Sequence, residues 1–287
     1  MSLLYGQKLR QLKNEKKILP FIGIYDVFSA SLVANYHNCL FVSGFGFAAS
    51  HYGLPDIGFN TWSDLLNYVM RIRSILPDAH ILVDIDDGFV DIHNAKMITA
   101  CLYDAGASGI ILEDQSRPRR CGHYNGKTLV SPDNYIKKLE EVMSVSGDLF
   151  VVARTDATQM EEILERVSKM KALPVDSILV DGMSVEQLCS LDVLYDLRKE
   201  NKIAYNQIAG GKSSPHNLTE LEECGIGLAI FSTPCLFSAQ HAIQKAMQQL
   251  MEHDFLLSKI SPSSVLEECT EVLNKNMSRR FKKNGAV

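Results

Sequence analysis

Several absences in this chain restrict what it can be. No apolar run approaches the roughly 20 residues that a membrane-spanning helix needs. The first ten residues, Met1 to Arg10, contain no long apolar core of the signal-peptide kind. Both absences predict a cytoplasmic protein without a membrane partner. No charge sign dominates: 29 basic against 34 acidic residues leave a net charge of −5. A general electrostatic footprint for nucleic acid is therefore lacking. The seven cysteines, at 39, 101, 121, 189, 224, 235 and 269, are odd in number and scattered. Most sit in apolar surroundings, which predicts reduced thiols rather than a disulfide framework. Cys121, between Arg120 and Gly122, is the exception. No strained serine elbow with a His/Asp pair is visible, so serine hydrolysis has no support. No composition break or repeated linker divides the chain, and one domain over residues 1–287 is expected.

What is present is alternation. Apolar runs at 18–24, 39–42, 81–86, 109–113, 150–154, 177–181, 202–206 and 227–231 read as strands. Segments with helical spacing lie between them. Asp26, Thr61, Ser131 before Pro132, and Ser184 stand where helix caps are needed, and Thr219 is read the same way. Ala48 to Phe59, with Gly53, Pro55 and Gly58, reads as a loop. The last long helix, from Leu236 to about His253, is predicted to turn Ala239, Ala242, Ile243, Ala246 and Leu250 inward. The basic tail at 278–284 reads as a solvated end. Eight strand-then-helix units in a chain of this length predict an α/β fold, a closed (β/α)8 TIM barrel. In such a barrel the active site lies at the C-terminal ends of the strands. Polar residues recur there: Ser43, Asp84, Asp86, Glu113, Arg154, Asp181 and Asn206.

The densest chemistry follows the fourth strand, in Leu112-Glu113-Asp114-Gln115-Ser116-Arg117-Pro118-Arg119-Arg120-Cys121-Gly122-His123. A charged surface loop could have this composition too. Against that stands Asp84-Ile85-Asp86 at the end of the third strand, where period-2 alternation puts both carboxylates on one side. Such a pair is costly without a cation or water. Asp84, Asp86 and Glu113 are therefore expected around one hard divalent cation, directly or through water. Zinc is disfavoured, since Cys121 and His123 are two apart and the other candidates are carboxylates. Arg154 and the loop arginines describe a pocket for an anionic substrate. Those arginines are expected to favour the Cys121 thiolate, as a proton-transfer group. His123 could orient the loop through a hydrogen bond or bind a carboxylate. The turn Ser43-Gly44-Phe45-Gly46 could offer backbone N–H groups to an anion.

Taken together, Leu54-Pro55-Asp56-Ile57-Gly58-Phe59, Asp84-Ile85-Asp86, Glu113-Asp114-Gln115, Arg120-Cys121-Gly122-His123 and Ala153-Arg154-Thr155-Asp156-Ala157 resemble the isocitrate lyase and phosphoenolpyruvate mutase superfamily. Within it the likeness is to the short 2-methylisocitrate lyase and carboxyphosphoenolpyruvate mutase type, over nearly the whole chain. The resemblance implies a barrel whose eighth helix is swapped with a neighbour, in a homotetramer built as a dimer of dimers. It implies Mg²⁺, with Mn²⁺ as a substitute, near Asp84, Asp86 and Glu113. It implies substrate contacts from Ser43, Gly44, Phe45, Asp56, Arg120, Gly122, Asp181 and Asn206. Cys121, Arg119, His123 and Arg154 would form the catalytic group, with Cys121 as acid/base under a closing loop at about 115–130. The implied partner is a small carboxylate or phosphonate.

The chain departs from that pattern at several positions. Arg119 stands where the lyase motif carries lysine, and Asp181 where glutamate is usual. Ala209 replaces a frequent glutamate, and Phe237 falls where methylisocitrate lyases place an arginine. Phe45 and Val90 stand at glycine positions. The metal end is kept and the distal substrate end is changed. The leading expectation is a retro-aldol carbon–carbon lyase acting on a small 2-hydroxy or 2-oxo acid. The alternatives are a phosphonomutase, phosphonopyruvate hydrolase or 2-oxo acid decarboxylase, and a non-catalytic barrel that binds a small acid or a protein.

Overall fold

The structure is a computed structural model that describes residues 4–282. Eight parallel strands, β1 (Leu19–Ile24), β2 (Cys39–Val42), β3 (His80–Asp84), β4 (Gly109–Glu113), β5 (Phe150–Thr155), β6 (Ser177–Val180), β7 (Ile203–Gln207) and β8 (Ile226–Phe231), close into a barrel in sequence order. Closure is between β1 and β8, with Leu19 beside Leu228. The helices are α1 (Tyr5–Glu15), α2 (Val27–Val33), α3 (Gly44–Phe47), α4 (Trp62–Ile75), α5 (Ile92–Asp104), α6 (Pro132–Met143), α7 (Met160–Lys171), α8 (Val185–Ser190), α9 (Tyr195–Lys199), α10 (Leu218–Glu223), α11 (Pro234–Glu252) and α12 (Leu266–Lys282). The expected (β/α)8 architecture is therefore present. Among the described residues, no helix is long and apolar enough to cross a membrane.

The strands are apolar on both faces because both faces are covered. Phe21, Phe41, Leu82, Ile111, Val152, Leu179, Leu228 and Ile230 fill the lumen, with Leu9 of α1 joining them. The alternate residues, Leu40, Val42, Ile81, Val83, Ile110, Val151 and Ile178, pack outward under the helices. Asp26, Thr61, Ser131 and Ser184 cap α2, α4, α6 and α8 by accepting a backbone N–H three residues on. Asn217, not Thr219, caps α10.

Other expectations are corrected. Ser43 does not open a loose turn: its hydroxyl caps α3 by accepting from Gly46 N, and a π-helical turn over Ala48–Tyr52 continues it. In α11 the predicted inward stripe is only partly covered within this chain: Leu250 is buried and Ala239 and Ala246 are half-buried, but Ala242 is exposed and Ile243 is 60% exposed. The terminal helix runs on from Leu266 to Lys282, well past Leu273. The tail positions 283–284, and Leu3 at the other end, lie outside the described residues. Cys189 and Cys224 are paired as a disulfide, against the expectation of free thiols throughout. The end of α8 and the C-cap of α10 bring their Cα atoms to 5.7 Å, a separation that spacing along the chain does not reveal.

Candidate active site

The C-terminal ends of the strands carry a buried network of opposite charges. Arg119 lies at its centre and is 1% exposed. Its Nη1 reaches Asp56 Oδ1 at 2.5 Å, its Nε reaches Glu113 Oε1 at 2.9 Å, and its Nη2 lies 3.2 Å from Asp86 Oδ1. Arg154, at the end of β5, forms the second centre. Its Nη2 lies 3.0 Å from Asp156 Oδ1, 3.2 Å from Glu113 Oε2 and 3.2 Å from Asp181 Oδ2. Its Nη1 faces Asp84 Oδ2 at 3.7 Å, too far for a hydrogen bond, and its buried Nε has no acceptor.

Local backbone explains how these groups meet. Asp84 ends β3 and points into the lumen by strand alternation. Asp86 does not follow that alternation: β3 has ended and Asp86 sits in the left-handed region with φ +53°. It joins the cluster through that turn, with its N–H donating to Asp84 Oδ1 at 3.1 Å. Asp84 and Asp86 are therefore neighbours through a turn and not through strand alternation. Tyr135, fully buried, receives the Arg154 N–H and donates to Leu112 O, fixing β5 against β4 where Glu113 and Arg154 leave the barrel. Gly44 borders the cluster, and a Cβ there would stand 3.1 Å from Asp86 Oδ1.

The loop over residues 115–130 lies across this network. Cys121 N donates to Asp56 O at 3.1 Å. Lys127 Nζ donates to Gly122 O at 2.6 Å and to Asp156 Oδ1 at 3.0 Å. Gln115 bridges Asp156 and the Arg120 backbone. At Gly122 a Cβ would stand 1.8 Å from Asp181 Oδ2 and 2.4 Å from Arg154 Nη2, so the loop can rest here only with glycine. His123 Nδ1 accepts the Lys212 N–H at 3.0 Å, and Nε2 lies 3.4 Å from Asn206 Nδ2 and 3.9 Å from Asp181 Oδ1. This is the loop-orienting hydrogen bond. The space enclosed beneath the loop is about 30 Å³, room for a water or two. This is the closed, unloaded arrangement: the loop has to lift to admit a substrate of several carbons before it closes over it.

Ser43, Phe45, Asp56, Asp84, Arg119, Cys121, Gly122, His123, Arg154, Asp181 and Asn206 all line this space. Glu113, Asp86 and Gly44 stand directly behind it. Arg120 is the exception: its side chain is exposed and only its backbone is used. Sequence reasoning assigned no role to Asp156, Lys127 or Gln115. Asp156 follows Arg154 by two positions at a strand end, which was the available signal.

Burial governs the ionisation of these groups. It raises the Asp84 carboxyl and lifts Asp86 and Glu113 well above the usual carboxylate range, against the pull of Arg119 and Arg154. Asp156 is buried as well, but Arg154, Lys127 and Gln115 overcome that penalty and hold it below its ordinary value. Burial, aided by Asp56, pushes the Cys121 thiol up to about 12. The expected thiolate is thereby corrected: the nearby guanidiniums are turned to carboxylates, and Cys121 is a neutral thiol at physiological pH. Burial also lowers His123.

Several donors at this site are available to a divalent cation. Both carboxylate oxygens of Asp86 and Oε2 of Glu113 are buried without a hydrogen-bond partner. The six carboxylates of Asp56, Asp84, Asp86, Glu113, Asp156 and Asp181 face three cations, Arg119, Arg154 and Lys127. Buried oxygens without hydrogen bonds, in a cradle where carboxyl groups outnumber cations, fit a hard cation. Among the described residues, no three His, Cys, Asp or Glu side chains are grouped so as to hold a metal directly. Mg²⁺ ordinarily takes one or two carboxylates and keeps several waters, so the arrangement suits it.

Comparison with known proteins gives the same lineage. Residues 9–251 match the model of the phosphoenolpyruvate phosphomutase family. The chain is 30% identical to the petal death protein of Dianthus caryophyllus over 276 residues, covering 93% of this chain and 85% of that protein. It is 26% identical to 2,3-dimethylmalate lyase of Eubacterium barkeri over 293 residues, 98% of each chain. A structure of oxaloacetate acetylhydrolase in complex with the inhibitor 3,3-difluorooxalacetate superposes with a TM-score of 0.88 at 25% identity, over 98% of this chain and 97% of that one. The chain belongs to the phosphoenolpyruvate phosphomutase family, in the isocitrate lyase/PEP mutase superfamily of enzymes that act on carbon–carbon or carbon–phosphorus bonds of small carboxylic acids.

Proposed function

We propose that this chain is a Mg²⁺-dependent carbon–carbon lyase of the retro-aldol type, acting on a small 2-hydroxy or 2-oxo carboxylic acid. The observation that carries the reading is Cys121, a neutral buried thiol on a loop that closes over the carboxylate cradle and Arg154. Likeness to 2,3-dimethylmalate lyase over nearly the full length of both chains supports the same reading.

Asp84, Asp86 and Glu113 would hold the cation, directly or through water, and when bound it would supply Lewis-acid stabilisation of negative charge on the substrate. Arg154 offers its unpaired Nε and its loosely held Nη1 to the substrate carboxylate. Ser43, Gly44 and Phe45 border the same space. On cleavage, the 2-hydroxyl proton passes to the carboxylate cradle as that carbon becomes a carbonyl. The electron pair of the broken C–C bond stays on the leaving fragment, next to its carboxylate. Cys121 Sγ–H protonates that carbon, and the proton taken up by the cradle restores the thiol once products leave. A donor that remains protonated at neutral pH suits this step. The closed loop keeps bulk water from protonating the carbanion first.

The same reading has the chain assemble as a dimer of dimers by exchanging α11, whose apolar face is only partly covered in the single chain. The mechanism is tested with Cys121→Ser and Asp84→Ala. Asp84→Ala should abolish Mg²⁺-dependent turnover. Cys121→Ser should lower cleavage by about 10²–10⁴-fold while keeping the binding of a 2-oxo acid. Unchanged turnover in Cys121→Ser would move the assignment to phosphorus chemistry.

A further inference from the structure

We propose that Arg119 is an internal counter-cation of the carboxylate cradle, balancing Asp56, Asp86 and Glu113 when no divalent cation is bound and competing with that cation for Asp86 and Glu113. The inference rests on the divalent-cation reading above and concerns what this chain's own arginine does to it.

Three observations carry it. First, the Arg119 fork is spread over carboxylates from three separate segments: the loop before α4, the turn after β3, and the end of β4. No solvent reaches it to share the charge, since Arg119 is 1% exposed. Second, the contacts are unequal. The Asp56 and Glu113 bonds are 2.5 and 2.9 Å, whereas Asp86 lies at 3.2 Å without hydrogen-bond alignment. The guanidinium lies against Asp86 without hydrogen-bonding to it. Third, the oxygens left unpaired, both of Asp86 and Oε2 of Glu113, belong to the residues that Arg119 already contacts. An incoming cation and the guanidinium must use the same carboxylates.

Arginine is suited to this role and lysine is not. A guanidinium stays protonated and presents a rigid planar fork, so it can hold three carboxylates at once. An ammonium is a point charge on a flexible stem that can withdraw when a second cation arrives. A cation at 4–6 Å changes a carboxylate's affinity for a proton by about one to three powers of ten. Competition for a metal at the same oxygens should fall on that scale. Arg119 also lies on the loop that carries Cys121, two positions away. Yielding Asp86 to the metal therefore loosens one tie between loop and cradle.

The test uses chelator-treated full-length protein titrated with Mn²⁺ and followed by electron paramagnetic resonance, with thermal unfolding of the chelated samples beside it. Arg119→Gln should bind Mn²⁺ at least about tenfold more tightly than wild type and unfold at a lower temperature without metal. Arg119→Lys should keep most of the metal-free stability and show intermediate affinity. Mn²⁺ affinity that is equal or weaker in both variants would overturn the inference, because Arg119 would then be holding the cradle in shape for the metal. Should Arg119→Gln fail to fold without metal, the affinity of Arg119→Lys decides alone. Binding to none of the three proteins would overturn both this inference and the divalent-cation reading, whereas equal binding overturns the inference only.

Discussion

Replacing Gly122 with alanine tests whether the Cys121 loop must seat against Arg154 and Asp181. The added Cβ would lie 1.8 Å from Asp181 Oδ2, 2.4 Å from Arg154 Nη2 and 2.7 Å from Asp156 Oδ1. None of the three can step aside, since each is buried in the same ion network. An ordinary carbon contact is about 3.5 Å, so the loop has to retreat by about 1.7 Å. That retreat pulls at the bonds from Cys121 N to Asp56 O and from Lys127 to Gly122 O. Each is worth about 1 kcal/mol, so the stability cost stays near 1–3 kcal/mol and the barrel remains folded. A displacement of about 1 Å at a reacting group costs on the order of 10²-fold in rate. The Gly122→Ala variant should therefore keep a cooperative unfolding transition, lose about 10²-fold or more in kcat, and be cut faster by trypsin between Arg117 and Lys127. A variant within threefold of wild-type kcat, with unchanged trypsin sensitivity, would refute the claim that the closed loop is the working state.

Three further outcomes follow from the same geometry. Because burial holds the Cys121 thiol at about 12, its alkylation by iodoacetamide should be slow at neutral pH and climb through pH 10 without levelling; a plateau below pH 8 would contradict a neutral thiol. Asp156 is depressed by its partners, so its contribution to stability is present in full above the ordinary carboxylate value and is lost as pH falls below that value toward the depressed folded one. The Asp156→Asn variant should accordingly be about 3 kcal/mol less stable near neutrality, with the gap narrowing in acid; urea midpoints across pH test this, and a gap constant with pH would sink it. Ile243 on α11 is 60% exposed, and covering such a side chain is worth about 2 kcal/mol; light scattering should show wild type as an oligomer and Ile243→Glu as a smaller species, and a monomeric wild type would remove the assembly proposal.

The barrel was legible because the strands are short and apolar on both faces, and most are followed by a capped helix with an apolar stripe. Ser131 before Pro132 and Thr61 before Asp64 marked helix starts that the backbone then shows. The site was legible where polar residues end strands, as at Asp84, Glu113 and Arg154. Elsewhere the reading ran out for physical reasons. Asp86 depends on a left-handed backbone that no periodicity encodes. The state of Cys121 depends on burial, and flanking arginines misled because their side chains are committed to carboxylates or to solvent. The apolar stripe of α11 was visible, but not that this chain leaves it only partly covered.

The most direct measurement is a mass-spectrometric turnover screen with Mg²⁺ and then with chelator. It should include 2-methylisocitrate, isocitrate, dimethylmalate, oxaloacetate, phosphonopyruvate and carboxyphosphoenolpyruvate. The account predicts chelator-sensitive cleavage of a carbon–carbon substrate into a 2-oxo acid and a second acid, lost in Asp84→Ala and strongly reduced in Cys121→Ser. Turnover confined to the phosphorus compounds, or cleavage indifferent to chelator, would contradict it.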